Sequence, residues 1–245
     1  MKGLDFDNNM FTDNFEIFFD GLNVYDLTLG RNHCLVLSEN RELYVLGNND
    51  LHELGYKRKK YEEKLYSENK FKTKKIKIKE NENENFNVEF DIENLIMINL
   101  NHPVKHEFFE DKKIKKIVSG ENHNMILLED GSVFSFGNNS LEQCSNFEDP
   151  VKVPKLITYD KNLPKIIDIF AGAFHSGLIN EEGDLYLWGD CLYNKLGIHL
   201  NKTSQNTPKL IPYFRGYYIT QVGLFSQETV VITGSKENSI IEKNK

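Results

Sequence analysis

The chain has 245 residues, a formal net charge of −7, 39% hydrophobic and 27% charged residues. That composition is globular, and with only two alanines against 28 Phe and Tyr it excludes an all-α bundle, since alanine favours helices and aromatics favour strands. The negative charge excludes a uniformly basic nucleic-acid binder.

The first 14 residues carry acids and no apolar core, so no secretory signal is read there, and the longest apolar run, 95–100, is far short of a membrane span. Cys34, Cys144 and Cys191 form no CxxC pair. Their odd number gives neither a disulfide framework nor a zinc knuckle. A reducing compartment, cytoplasmic or nuclear, is expected.

Three segments superpose without a gap. Gly30 to His33 is followed by Leu43-Tyr44-Val45-Leu46-Gly47-Asn48-Asn49; Gly120 to His123 by Val133-Phe134-Ser135-Phe136-Gly137-Asn138-Asn139; Gly172 to His175 by Leu185-Tyr186-Leu187-Trp188-Gly189-Asp190. In each the glycines are 17 apart, and an aromatic stands three before the second. A further glycine follows eight later at Gly55 and Gly197, with Ser145 at that place in the second copy. Gly120, Gly172 and Gly223 are spaced by 52 and 51, so Gly223 is read as opening a degenerate fourth copy, with Ser226 at the His place. Prolines at 103, 154 and 208 precede the units, and 153–157 and 207–211 look like one leading strand used twice.

Apolar runs such as 125–128, joined to the next by acidic-Gly turns at 129–131 and 181–183, predict hairpins. In the first copy Arg41 replaces the turn glycine, so a different turn is expected there. Four short strands per unit of about 50 residues predict propeller blades. The expected fold is all-β, a partial β-propeller of three blades plus a degenerate fourth, with a long charged insertion. The divisions are 1–56 (N-terminal segment and first repeat), 57–101 (insertion), 102–149 (second repeat), 150–201 (third) and 202–245 (degenerate fourth and polar tail).

The Gly-x-x-His, aromatic-x-x-Gly-x-Asn and trailing Leu-Gly patterns resemble repeats of the regulator of chromosome condensation family, over about 24–56 and 103–233. The resemblance implies a seven-bladed propeller and partners such as a small GTPase or chromatin. Departures lie in the loop after the blade. His52, Glu142 and Asn194 stand where the family has Gly, and of its following Gln only Gln143 is kept, Glu53 and Lys195 replacing it.

The insertion holds eleven Lys or Arg against three Glu over 57–79, then six acids and no base over 80–93. Such a segment reads first as a solvated, disordered loop. Lys57, Arg58, Lys59, Lys60, Lys72, Lys74 and Lys75 are the candidate basic contacts for nucleic acid or an acidic partner, and 57–60 is also a candidate nuclear-targeting patch.

His33, His123 and His175 are read as structural, each bonding backbone within its own blade, because equivalent positions spread around an axis do not converge on a metal. Gly30, Gly47, Gly120, Gly137, Gly172 and Gly189 complete this structural set. Cys34 adjoins His33, but neighbouring strand residues point to opposite faces, so they form no catalytic pair. No catalytic or cofactor motif is present, and no cofactor is expected. The leading reading is a non-catalytic interaction platform. The alternatives are a guanine-nucleotide exchange factor, which needs no acid–base residue, and a fragment of a larger repeat protein without independent activity. Unfinished blade edges predict marginal stability, or association with itself or with further blades.

Overall fold

The structure is a computed structural model that describes residues 3–5, 10–12, 22–56, 100–158 and 164–234. A short antiparallel hairpin, β1 (Gly3–Asp5) with β2 (Met10–Thr12), precedes the blades. Blade A orders β3 (Val24–Leu29), β4 (His33–Ser38), β5 (Leu43–Gly47) and β6 (Leu100–Lys105). Blade B orders β7 (Ile114–Ser119), β8 (His123–Leu128), β9 (Val133–Gly137) and β10 (Val151–Leu156). Blade C orders β11 (Ile166–Ala171), β12 (His175–Asn180), β13 (Leu185–Asp190) and β14 (Ser204–Leu210). Among the described residues blade D has two strands, β15 (Tyr218–Leu224) and β16 (Thr229–Gly234). All pairings are antiparallel. The first strands lie side by side, β3 by β7, β7 by β11 and β11 by β15, which makes them the inner strands of a propeller arc. The expected all-β, partial-propeller architecture is thus present, with three full blades and, among the described residues, two strands of a fourth.

The second strands of blades A, B and C are covered on both faces, and β8 and β12 are buried throughout. A strand sandwiched between two blades has no solvent side, so its apolar run is continuous rather than alternating. Three clusters fill the junctions. Leu35 and Leu37 meet Ile114 and Ile117 between blades A and B. Met125 and Leu127 meet Ile166 and Ile169 between B and C. Ile179 and Leu187 meet the half-buried Ile219 and Val222 between C and D.

Three expectations are corrected. The proline-bearing strands do not lead into a blade: β6, β10 and β14 carry Pro103, Pro154 and Pro208 as the outer strand of the preceding blade. An outer edge tolerates a residue without an N–H, which explains the recurrent proline. The turn at Arg41 is the same as its counterparts. Arg41 takes φ 63° where Gly131 and Gly183 take 94° and 85°, and its N–H reaches Ser38 O as Gly131 reaches Leu128 O. The degenerate fourth unit is displaced by two residues from the Gly223 reading. Phe225 N bonds Glu228 O just as Gly172 N bonds His175 O, so Phe225 occupies the glycine place and Glu228 the histidine place.

Candidate interaction face

One face of the arc gathers the turns between first and second strands and the loops between third and fourth strands. At its centre is a hollow of about 660 Å³ lined by the turns Gly30–Arg31, Gly120–Glu121, Gly172–Ala173 and Phe225–Ser226. A backbone ladder ties these turns together across blades: Arg31 N to Glu121 O (2.8 Å), Glu121 N to Ala173 O (3.2 Å) and Ala173 N to Phe225 O (3.3 Å). Arg31 also pairs with Glu121 at 2.9 Å on the rim.

The Gly-x-x-His motif is explained by this ladder. Each imidazole folds back over its own glycine, where a Cβ would meet the ring, at 2.2 Å for Gly120 and His123. A Cβ on Gly120 would also meet Gly172 O of the next blade at 2.3 Å. The histidines do not bond backbone within their own blade, as the sequence suggests. His33 Nε2 lies 2.9 Å from Asn124 Oδ1, His123 Nε2 2.9 Å from Ser176 Oγ, and His175 Nε2 3.0 Å from Thr229 Oγ1. Every partner belongs to the following blade. Asn124 donates its amide to Glu53 O, and Ser176 donates to Gln143 O. That leaves Oδ1 and Oγ to accept from the imidazoles, fixing the neutral Nε2–H form. Burial holds His33 and His175 down to about 4 and His123 to about 3.

The second motif glycines, Gly47, Gly137 and Gly189, lie at or next to the ends of the third strands at φ near +100°, pressed against the backbone at the histidine and the residue before it. The loop that follows sits on the next blade. Gln143 O accepts from both Ser176 and the Trp188 indole. In blade C the equivalent place is Lys195, whose ammonium is buried against Asp190 and also donates to Ser226 O. The family glycine places, His52, Glu142 and Asn194, keep left-handed φ of 61°, 63° and 58°, and Ser145 keeps 51° at the trailing-glycine place. The loop backbone is therefore retained although its glycines are gone.

In blade B this loop presents Phe147, 97% exposed. The flanking backbone is held from below. Asn139 Nδ2 donates to Asn146 O and Glu148 O, both at 2.7 Å, and Asn139 N donates to Asp149 Oδ1 at 3.0 Å. The blade C loop presents Tyr193, 77% exposed. Neither aromatic was legible as a site residue, because a lone Phe or Tyr in an aromatic-rich chain carries no spacing signal. The basic candidates Lys57, Arg58, Lys59, Lys60, Lys72, Lys74 and Lys75 lie outside the described residues. Their segment starts after Tyr56 and ends before Leu100, which opens β6, so both of its anchors belong to a third-to-fourth-strand connection of this same face.

Cys144 and Cys191 are buried and Cys34 half-buried, and burial pushes all three thiols up, Cys34 to about 11. None is poised as a thiolate nucleophile. No helix among the described residues is long and apolar enough to cross a membrane.

The regulator of chromosome condensation (RCC1) repeat matches residues 114–143 and, in a second form, residues 130–179. The chain is 32% identical over 130 residues to the human E3 ubiquitin-protein ligase HERC2, covering 52% of this chain and 3% of that protein. It is 28% identical over 196 residues to the guanine nucleotide exchange factor SRM1 of Saccharomyces cerevisiae, covering 78% of this chain and 33% of that protein. Among solved structures, Prp20p from Saccharomyces cerevisiae superposes with a TM-score of 0.63 at 19% identity, over 91% of this chain and 47% of that one. Human WBSCR16 superposes at 0.62 and 16% identity, over 92% and 48%. The chain thus spans about half the length of these solved chains and a third or less of these curated relatives. Residues 114–179 thus match the regulator of chromosome condensation (RCC1) repeat, and the chain resembles that family in sequence and in blade architecture.

Proposed function

We propose that the chain is a non-catalytic interaction platform whose docking face carries the axial hollow and the loops of Phe147 and Tyr193. The observation that carries this reading is Phe147, an almost fully exposed phenylalanine on a loop pinned by Asn139. Exposed aromatics on rigid loops lose little freedom on binding and serve as anchors at protein interfaces. The partner class is a nuclear small GTPase or a chromatin component. SRM1 is described as a guanine nucleotide exchange factor, and the Prp20p structure as bearing on binding to Gsp1p and histones. The basic stretch 57–79 adds charge for an acidic surface, nucleic acid included, and the site of action is the nucleus or cytoplasm.

Binding of purified chain to core histones and to a nuclear small GTPase tests this. Phe147→Asp is expected to weaken the productive interaction at least tenfold with the fold unchanged. Unchanged affinity for every partner bound removes Phe147 from the site.

The second reading is exchange activity, favoured by the 78% of this chain that aligns with SRM1. Exchange requires only that the nucleotide-free GTPase be bound more tightly than the loaded form. Release of labelled GDP decides it: acceleration at micromolar chain supports exchange, and no acceleration leaves the platform alone.

A further inference from the structure

The chain holds four glutamines, and three of them directly follow a Ser or Thr: Ser204-Gln205, Thr220-Gln221 and Ser226-Gln227. Ser and Thr make up only 21 of the 245 residues, so composition alone predicts one such pair at most. A hydroxyl residue followed by Gln is the local pattern read by one class of Ser/Thr kinase. The structure separates the three pairs. Ser204 lies within β14, and its Gln205 is buried with the amide bonded to Thr207 O and Oγ1, both at 2.8 Å. Thr220 lies within β15 and donates its hydroxyl to Ile232 O at 3.0 Å. Ser226 and Gln227 are both exposed, in the turn that Phe225 N closes on Glu228 O, and Ser226 lines the axial hollow.

This turn also differs from its three counterparts. In blades A, B and C a glycine and a histidine stand there, and the imidazole bonds forward into the next blade. In blade D Phe225 and Glu228 take those places, and both are exposed. The backbone is anchored through carbonyls, Ala173 N to Phe225 O at 3.3 Å and Lys195 Nζ to Ser226 O at 3.0 Å. Strand β16 leading out of the turn is partly exposed along its length, whereas β8 and β12 are buried. Sparse burial lowers the cost of opening a segment, here into a kinase cleft.

We propose that Ser226 is a phosphorylation site read through Gln227, and that its phosphate turns the axial hollow into a seat for a Lys/Arg-rich polypeptide. The second half rests on the docking-face reading. Ser226 Oγ attacks the γ-phosphorus of ATP, the bond from that phosphorus to the bridging oxygen breaks, ADP leaves, and the hydroxyl proton passes to the kinase's base. The charged residues lining the hollow are Arg31 and Glu121, which pair and balance. A phosphate adds about −2 there, beside the exposed Glu228, with three oxygens that accept from Lys and Arg.

The purified full chain, treated with MgATP and a kinase selective for Ser-Gln, is mapped by mass spectrometry. Phosphate is expected on Ser226 ahead of Ser204 and Thr220, with the rate at least tenfold lower in Gln227→Ala and unchanged in Gln205→Ala. Core histones are then expected to bind the phosphorylated chain at least fivefold more tightly, a gain that shrinks as salt is raised and is missing in Ser226→Ala given the same treatment. No phosphate on Ser226, earlier phosphate on Ser204 or Thr220, or indifference to Gln227→Ala overturns the site. Phosphate on Ser226 with unchanged histone affinity overturns its effect on the hollow. The docking face itself is judged separately by Phe147→Asp, which leaves the mapping of phosphate untouched.

Discussion

His123 and Ser176 lie 53 positions apart and belong to different blades, yet the imidazole Nε2–H reaches the hydroxyl at 2.9 Å inside the junction. Ser176 passes its own proton to Gln143 O, which also receives the Trp188 indole. A motif that repeats within the sequence thus acts between the repeats. Replacing His123 by Ala removes a fully buried ring and the donor to Ser176 Oγ, which keeps only its own bond to Gln143 O. A loss of about 2–4 kcal/mol is expected from the cavity and the broken bond. The exposed His199, changed to Ala, is expected to stay within about 0.5 kcal/mol. Urea unfolding of both variants measures the difference.

The same histidines set an acid limit. Their protonation is held down to about 4 for His33 and His175 and about 3 for His123 by burial. In the unfolded chain they take up protons near 6.5. The unfolded state therefore binds more protons below that pH, so stability is full above about 6.5 and falls as the pH drops toward 4. Thermal unfolding between pH 7.5 and 4.5 is expected to show a steady decline, shallower in His33→Gln. A flat profile contradicts it.

The left-handed positions give a gain. Glu142 holds φ 63° with a side chain that adds strain, in a loop whose backbone form favours glycine. Glu142→Gly is expected to raise stability by up to about 1 kcal/mol. Gly137→Ala is expected to cost several times that. Its φ is 107°, and the new Cβ would lie 2.5 Å from Asn122 O. Denaturant midpoints of the two variants should move in opposite directions.

Blade C carries Asp190 and Lys195 where blade B carries Asn138 and Gln143, and the pair is almost completely buried. Lys195→Gln alone leaves a buried carboxylate without its cation and is expected to cost about 3–5 kcal/mol. Asp190→Asn with Lys195→Gln installs the two neutral residues that blade B carries at these places and is expected to recover most of that loss. A double variant as unstable as the single one contradicts the assignment.

Much of the arc was legible because the blade is a repeat: three copies in one register gave the strands, the hairpins and the architecture. What was not legible came from contacts between copies. Within-blade hydrogen bonding of the histidines was the local reading, whereas each imidazole lies over its own glycine and reaches a side chain of the next blade. The fourth unit misled because Gly223 imitates the motif at nearly the right spacing, while the backbone places Phe225 and Glu228 there. Arg41 shows a backbone form surviving the loss of its glycine. Phe147 carried no pattern, since its exposure depends on Asn139 bonding the carbonyls on either side of it.

Hydrogen–deuterium exchange of the chain with core histones, and separately with a nuclear small GTPase, tests the docking face most directly. Slowed exchange is predicted in 138–150, 191–203 and the turns at 30–32, 120–122 and 172–174, with the opposite-face turns at 39–42, 129–132 and 181–184 unchanged. Protection confined to those opposite-face turns, or none with either partner at saturating concentration, contradicts the account.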